Sequence, residues 1–140
     1  METRELADIQ ALINTFFPFA EELLVKYGEF FPYAGATTTE AEFVSVGFHD
    51  SNRHPDSEKV IADLKTSLKK DSSGFIVAAI FYDIKTKDVN TADTKNAITV
   101  FVEHKDGTQA YNFIYPYKMD IADYFVVLEN FCFSSVKEIF

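Results

Sequence analysis

The sequence predicts an α+β fold, a two-layer sandwich of two main helices on a mainly antiparallel sheet of five to six strands. Two segments carry apolar residues at helical spacing, whereas β-branched and aromatic runs fill most of the remaining chain. The segments follow the order α-β-β-α-β-β-β-β, which is typical of helices set apart from an antiparallel sheet. Residues 1–140 therefore predict a single globular domain.

The first helix is predicted over residues 5–27, where apolar residues recur every three or four positions. They are Leu6, Ile9, Leu12, Ile13, Phe16, Ala20, Leu23, Leu24 and Tyr27. Pro18 interrupts the pattern, so we expect a kink or the start of a second helix there. Gly28 predicts the end of the helix.

Residues 33–38 and 42–48 predict a β-hairpin, because alternating strand-like runs flank a short polar link. The second helix follows, with Val60, Ile61, Leu64 and Leu68 on one stripe, and it is expected to end near residues 71–74.

The run at residues 75–84 is almost entirely apolar, which is typical of a central strand covered on both faces. The polar stretch 85–96 predicts a long connection. Residues 124–133 predict a last strand, or a strand followed by a turn.

The Asp106-Gly107 pair predicts a two-residue hairpin turn. Counting outward from it pairs three sets of residues on the core face: Val102 with Tyr111, Val100 with Phe113, and Ile98 with Tyr115. Thr99, Glu103 and Asn112 then lie on the opposite face, which we expect to be partly solvated. A slip of one residue would bury Glu103 and expose Phe113. Pro116 predicts the end of its strand or a sheet edge.

The composition favours a soluble protein with a large aromatic core. Among its 140 residues are 15 Phe and 7 Tyr, and acids outnumber bases by 22 to 13, for a formal charge of −9. Such a charge disfavours nucleic acid as a partner. The chain has no apolar run of membrane-spanning length and no signal-peptide pattern near Met1, so we expect no membrane partner and a cytoplasmic location. The single Cys132 excludes an internal disulfide and predicts a buried, unreactive thiol.

The polar stretch GFHDSNRHPDSEK at residues 47–59 has two interpretations. Pro55, Asp56 and Ser57 suit the first turn of a helix, which is the favoured interpretation. The alternative makes His49, Asp50 and His54 metal ligands or acid–base groups. No CxxC or HExxH motif supports that alternative, so no metal and no cofactor are expected.

Two further groups are candidates for an interaction surface. Asp88 and Asp93 lie in the polar stretch 85–96, which lacks the mid-loop glycine and closing glutamate of a calcium loop. Aromatic residues at positions 30–35, with Tyr111, Tyr115 and Tyr117, predict either core packing or an exposed patch for a partner or apolar ligand.

Several segments resemble a family of small uncharacterised bacterial single-domain proteins. The segments are LLVKYGEFFPYAGA, HPDSEKVIADL, IFYDIKTKD, AITVFVEHKDG, YNFIYPYK and KEIF, and together they span most of the chain. The resemblance implies a bacterial origin and an intracellular single domain. It implies no activity and no functional residue.

The favoured function is a non-enzymatic protein-interaction module, an adaptor or an immunity-type inhibitor, with Asp88, Asp93, Tyr115 and Tyr117 at the interface. The alternatives are a small-ligand binder with an aromatic pocket between sheet and helix, or a metal-dependent binder or enzyme using His49, Asp50 and His54. A homodimer formed through an exposed edge at the strand of Pro116 is a further alternative.

Overall fold

The computed structural model describes residues 3–46, 57–87, 94–119, 125–127 and 131–140. It confirms the α+β class and the order of elements. The elements are α1 (Thr3–Tyr27), β1 (Tyr33–Thr38), β2 (Phe43–Val46), α2 (Ser57–Lys70), β3 (Phe75–Lys87), β4 (Thr94–His104), β5 (Ala110–Met119), β6 (Phe125–Val127) and β7 (Phe131–Ser135). The described strands form one antiparallel sheet in the order β2-β1-β3-β4-β5-β6, and β7 also pairs with β5.

Helix α1 runs without a break past Pro18, so no second helix starts there. Buried residues from both sides of the proline, such as Leu12 and Leu24, belong to one core cluster on the sheet. This shared packing offsets the backbone hydrogen bond that the proline removes, because tertiary contacts supply most of the stability of a helix.

The two helices cover opposite faces of the sheet, so the sheet is the middle of three layers and the two-layer prediction is wrong. Val77, Ala79 and Phe81 of β3 pack in the cluster that contains α1. The alternate residues Ala78 and Ile80 pack in the cluster that contains α2. The apolar run of β3 indicates two covered faces, but periodicity alone cannot assign each helix to a face.

The predicted β4–β5 register is confirmed, with Val102 opposite Tyr111, Val100 opposite Phe113, and Ile98 opposite Tyr115. The turn differs from the prediction. The Gly107 N–H donates to the carbonyl of His104 at 3.0 Å, which places the turn one residue earlier, and neither Asp106 nor Gly107 has a positive φ.

The expectation of a solvated second face is wrong. Thr99, Glu103 and Asn112 are 1%, 0% and 7% exposed. Residues of α2 and the chain segment after β7 pack on that face, where Ile139 joins the cluster of Leu64 and Leu68. Glu103 is tolerated there because its carboxylate accepts backbone hydrogen bonds from residues 138–140.

The hairpin of β3 and β4 is longer than predicted, since Lys87 pairs with Thr94 and residues at both ends of the polar stretch 85–96 belong to strands. Paired backbone groups stabilise these polar residues as strand, which side-chain composition does not reveal.

Pro116 neither ends its strand nor lies at an edge. It pairs with Ala97 inside the sheet. On the other side, β7 pairs with Ala110–Ile114 and β6 with Tyr117–Met119, so Pro116 lies where the outer neighbour of β5 changes and its missing N–H removes no described pairing. The dimer edge predicted at this strand is therefore covered by β6 and β7.

Residues 124–133 contribute two short strands whose registers on β5 differ by one residue. Cys132 of β7 is exposed, so the prediction of a buried thiol is wrong. The reason is its position in a strand at the edge of the sheet, which the apolar sequence around it does not show. Partial burial still raises the pKa of the thiol above its usual value of 9.0.

In the described part of the chain, neither helix combines the length and the apolar character needed to cross a membrane.

Candidate functional site

Most of the side chains that the sequence suggests for function fall outside the described residues. These are His49, Asp50 and His54 of the histidine-containing stretch, and Asp88 and Asp93 of the β3–β4 connection. Helix α2 spans Ser57–Lys70, so the last three residues of the stretch 47–59 lie in its first turn. Within the described ranges, no group of three or more His, Cys, Asp or Glu side chains is arranged to hold a metal ion.

Of the two candidate tyrosines of β5, Tyr117 is buried and Tyr115 is partly buried against the cluster that contains α1. Tyr117 is only 4% exposed, and its hydroxyl donates a hydrogen bond to Asp83 Oδ1 at 2.9 Å. Burial, followed by the nearby charge of Asp83, raises the pKa of Tyr117 above its usual value. The ring of Tyr115 packs edge-on against Phe17, with 4.8 Å between the ring centroids. In this conformation the buried Tyr117 ring is not available to a partner.

A cavity of about 670 Å³ lies where α1 ends, and it is a candidate ligand site of the described structure. Its described lining comes from α1, the α1–β1 connection and one residue each of β1, α2 and β3. The residues are Phe19, Leu23, Tyr27, Glu29, Phe30, Phe31, Pro32, Tyr33, Ser57 and Asp83. We call this cavity the aromatic pocket.

The local sequence explains why the aromatic residues meet. Gly28 adopts a φ of 77°, and its N–H donates to the carbonyl of Leu24 at 2.8 Å, so the helix ends in the left-handed cap that glycine favours. The chain then turns back, and within five residues Tyr33 begins β1 opposite Phe81 of β3. The aromatic side chains before and after Gly28 are thereby brought to one end of the sheet.

Tyr33 is the fixed wall of the aromatic pocket. Its ring stacks on Phe81 with centroids 5.0 Å apart and an interplanar angle of 4°. Phe19 meets the Tyr33 ring edge-on at 5.2 Å, and Phe30 lies at 5.7 Å. The Tyr33 hydroxyl donates to the carbonyl of Phe16 at 2.7 Å. Burial raises the pKa of this hydroxyl well above its usual range. A ring held on several sides presents a preformed surface to a ligand.

The lining of the pocket combines exposed aromatic rings with acidic groups. The side chains of Tyr27 and Phe31 are both more than half exposed, so part of their apolar surface is open to a ligand. Glu29 and Asp83 contribute carboxylates, and Ser57 contributes a hydroxyl. The arrangement can surround an apolar body and orient one polar group of a ligand.

A second polar arrangement, between Asp8 and His104, has a structural role. His104 is buried, its Nδ1 accepts a hydrogen bond from the Asp106 N–H at 3.1 Å, and its Nε2 lies 2.8 Å from Asp8 Oδ2. The Nδ1 acceptor role assigns the ring proton to Nε2, which donates to the carboxylate. Both ring nitrogens are therefore occupied, and the pair ties α1 to the end of β4. The two residues are 96 positions apart in the sequence, so no local sequence pattern predicts their contact.

No known protein family, curated protein or solved structure matches this chain significantly.

The sequence predicts part of the pocket, the aromatic residues at positions 30–35, but not its other walls. The sequence does not point to Phe19, Glu29 or Asp83 as pocket residues, and it places Tyr27 only on the apolar stripe of α1. The available signal was the density of aromatic residues on both sides of the helix end at Gly28. The contribution of Asp83, distant in sequence, has no local signature.

Proposed function

We propose that this protein binds a small, largely apolar molecule in the aromatic pocket. The observation that supports this proposal is the cavity of about 670 Å³ itself, lined mainly by aromatic and aliphatic side chains together with a few polar groups. Ligand sites in proteins have this character, with volumes of roughly 300–1,000 Å³.

The energetics also favour ligand binding. Exposed rings such as Tyr27 and Phe31 lose water contact when a ligand covers them, which is favourable at about 25 cal/mol per Å² of apolar surface. The stacked Tyr33 ring is already fixed, so little side-chain freedom is lost on binding.

The test is titration with a neutral fluorescent apolar probe, phenylnaphthylamine, together with the thermal stability of the complex. The chain has no Trp, so the probe signal is free of tryptophan emission. Bound ligand should raise the melting temperature, because saturation at 100 times Kd contributes about 2.7 kcal/mol.

Two matched variants localise the binding. Phe31 and Phe43 are 53% and 46% exposed, but only Phe31 lines the pocket. Phe31→Ala should weaken probe binding, whereas Phe43→Ala should leave it unchanged. Absence of binding to the unmodified protein, or equal binding by both variants, would contradict the proposal.

A second candidate function is the protein-interaction module, an adaptor or immunity-type inhibitor. The observation in its favour is β7, which pairs only with β5 in the described sheet and exposes Phe131 and Phe133. An extended segment of a partner could add to this edge through backbone hydrogen bonds, and Asp88 and Asp93 stay predicted contacts for it.

The second candidate is tested by stoichiometric capture of one protein from a bacterial lysate, the source that the sequence resemblance implies. Phe133→Lys should abolish the capture and Phe43→Lys should preserve it, because a charge on an edge strand opposes strand addition. Capture that survives Phe133→Lys would exclude β7 as the contact.

A further inference from the structure

We propose that the ligand of the aromatic pocket is an organic ammonium cation with an apolar body; this inference rests on the proposed function. The first observation is the sign of the charges around the cavity. Glu29 and Asp83 line it, whereas none of its described lining residues is Lys, Arg or His. The carboxylates of Glu29 and Asp83 attract a cationic group and repel an anionic group.

The second observation is the aromatic content of the lining. Five of the residues that line the pocket are aromatic: Phe19, Tyr27, Phe30, Phe31 and Tyr33. The face of an aromatic ring attracts ammonium groups, and such rings form the cages that bind quaternary ammonium ligands. A neutral ligand would gain the apolar contacts of these rings but not this electrostatic attraction.

The wall of the pocket already attracts an ammonium group of the protein. Lys26 Nζ lies 5.3 Å from the centroid of the Tyr27 ring. This distance is within the range of a cation–π contact. Lys26 does not line the cavity, so it leaves the cavity open to a ligand. Its ammonium group nevertheless competes with a cationic ligand for the face of the Tyr27 ring.

Helix ends near the pocket act in opposite senses. Helix α1 ends at Tyr27, where the partial negative charge of a C-terminus favours a cation, and α2 is described from Ser57, where the helix N-terminus favours an anion. Because these partial charges oppose each other, the full negative charge of Glu29 contributes more to the field than either helix end. Glu29 has no hydrogen bond or ion pair with the described residues, so its charge is not neutralised within them.

The test compares three probes of similar shape: benzyltrimethylammonium, its neutral carbon analogue neopentylbenzene, and the anion phenylmethanesulfonate. Each competes with phenylnaphthylamine for the unmodified full chain at low salt. We expect the ammonium probe to bind about tenfold more tightly than the neutral analogue, and the anion to bind most weakly. The difference in affinity between the ammonium probe and the neutral analogue should decrease as salt is added, because salt screens exposed charges.

Three variants assign the effect to residues. Glu29→Gln should weaken ammonium binding about fivefold and should weaken neopentylbenzene binding much less, since the substitution removes the charge and keeps the shape of the side chain. Glu40→Gln is the control, because Glu40 is an exposed acid that does not line the pocket. Lys26→Gln should strengthen ammonium binding by removing the competing cation.

The outcomes separate this inference from the proposed function. Equal affinity for the ammonium and neutral probes, or tighter binding of the anion, overturns the ammonium assignment while the apolar pocket stands. Equal effects of Glu29→Gln and Glu40→Gln also overturn it. Failure of every probe, including phenylnaphthylamine, overturns both proposals.

Discussion

The carboxylate of Glu103 binds the backbone of Ile139, with each of its two oxygens 3.1 Å from the Ile139 nitrogen. The neighbouring N–H groups of Glu138 and Phe140 donate to the same carboxylate at 2.7 and 3.0 Å. Successive backbone N–H groups of this kind form an anion-binding concavity. Here the protein fills that concavity with its own buried side chain, which fixes the segment after β7 on the α2 face of the sheet.

Replacing Glu103 by Gln should lower the free energy of unfolding by roughly 2–4 kcal/mol, because the amide nitrogen cannot accept a hydrogen bond and leaves buried N–H donors unpaired. Urea denaturation measures the loss. Glu40→Gln, at an exposed position, is the matched control and should change stability by less than about 0.5 kcal/mol. Equal stability of the two variants would show that the carboxylate does not hold the segment.

Ile139→Ala should destabilise the protein by roughly 2–4 kcal/mol, since a fully packed aliphatic side chain leaves a cavity. Ile139 is 1% exposed, whereas the nearby Val136 is 82% exposed. Val136→Ala should therefore have little effect in the same denaturation experiment. A small loss for Ile139→Ala would mean that the end of the chain is not docked in solution.

Gly35→Ala should cost roughly 1–3 kcal/mol through overpacking. A Cβ added at Gly35 would lie 2.5 Å from Cε2 of Phe16, inside the packed interface of β1 and α1. At Gly74, no atom lies within 4 Å of an added Cβ, so Gly74→Ala is the control. Thermal denaturation of both variants tests the close approach of α1 to β1.

Stability should fall as the pH rises above about 10, because the buried tyrosines have raised pKa values in the folded protein. Burial, then the charge of Asp83, raises the pKa of Tyr117. Its contribution to stability is fully present below the unfolded pKa of 10.0 and is lost as the pH rises through the higher folded pKa.

Tyr117→Phe should therefore reduce the alkaline loss of stability, even though it removes the hydrogen bond to Asp83 and lowers stability at neutral pH. Between the unfolded and folded pKa values, the slope of the free energy of unfolding against pH should differ from that of the unmodified protein by up to about 1.4 kcal/mol per pH unit. Tyr27→Phe, at an exposed position, serves as the comparison. Identical pH slopes for Tyr117→Phe and the unmodified protein would contradict the assignment.

Only part of the candidate site can be predicted from the sequence. The aromatic composition of positions 30–35 predicts a candidate site. Their contact with Phe19 depends on the chain reversal at Gly28, and Asp83 lies on a strand about fifty positions further along the chain. The charge pattern that suggests a cationic ligand appears only when these segments share one cavity. The histidine-containing stretch and Asp88 and Asp93 stay predictions.

The sequence by itself determined the α+β class, the two helices and the pairing of Val100 with Phe113, because periodicity and a turn signal are local properties. Only the tertiary structure decided which helix covers which face, that Glu103 is buried and that Cys132 is exposed. Those outcomes depend on contacts between distant segments. The sequence predicts a solvated position for a carboxylate such as that of Glu103. Its burial can be explained only when the tertiary structure shows the backbone N–H donors that stabilise it.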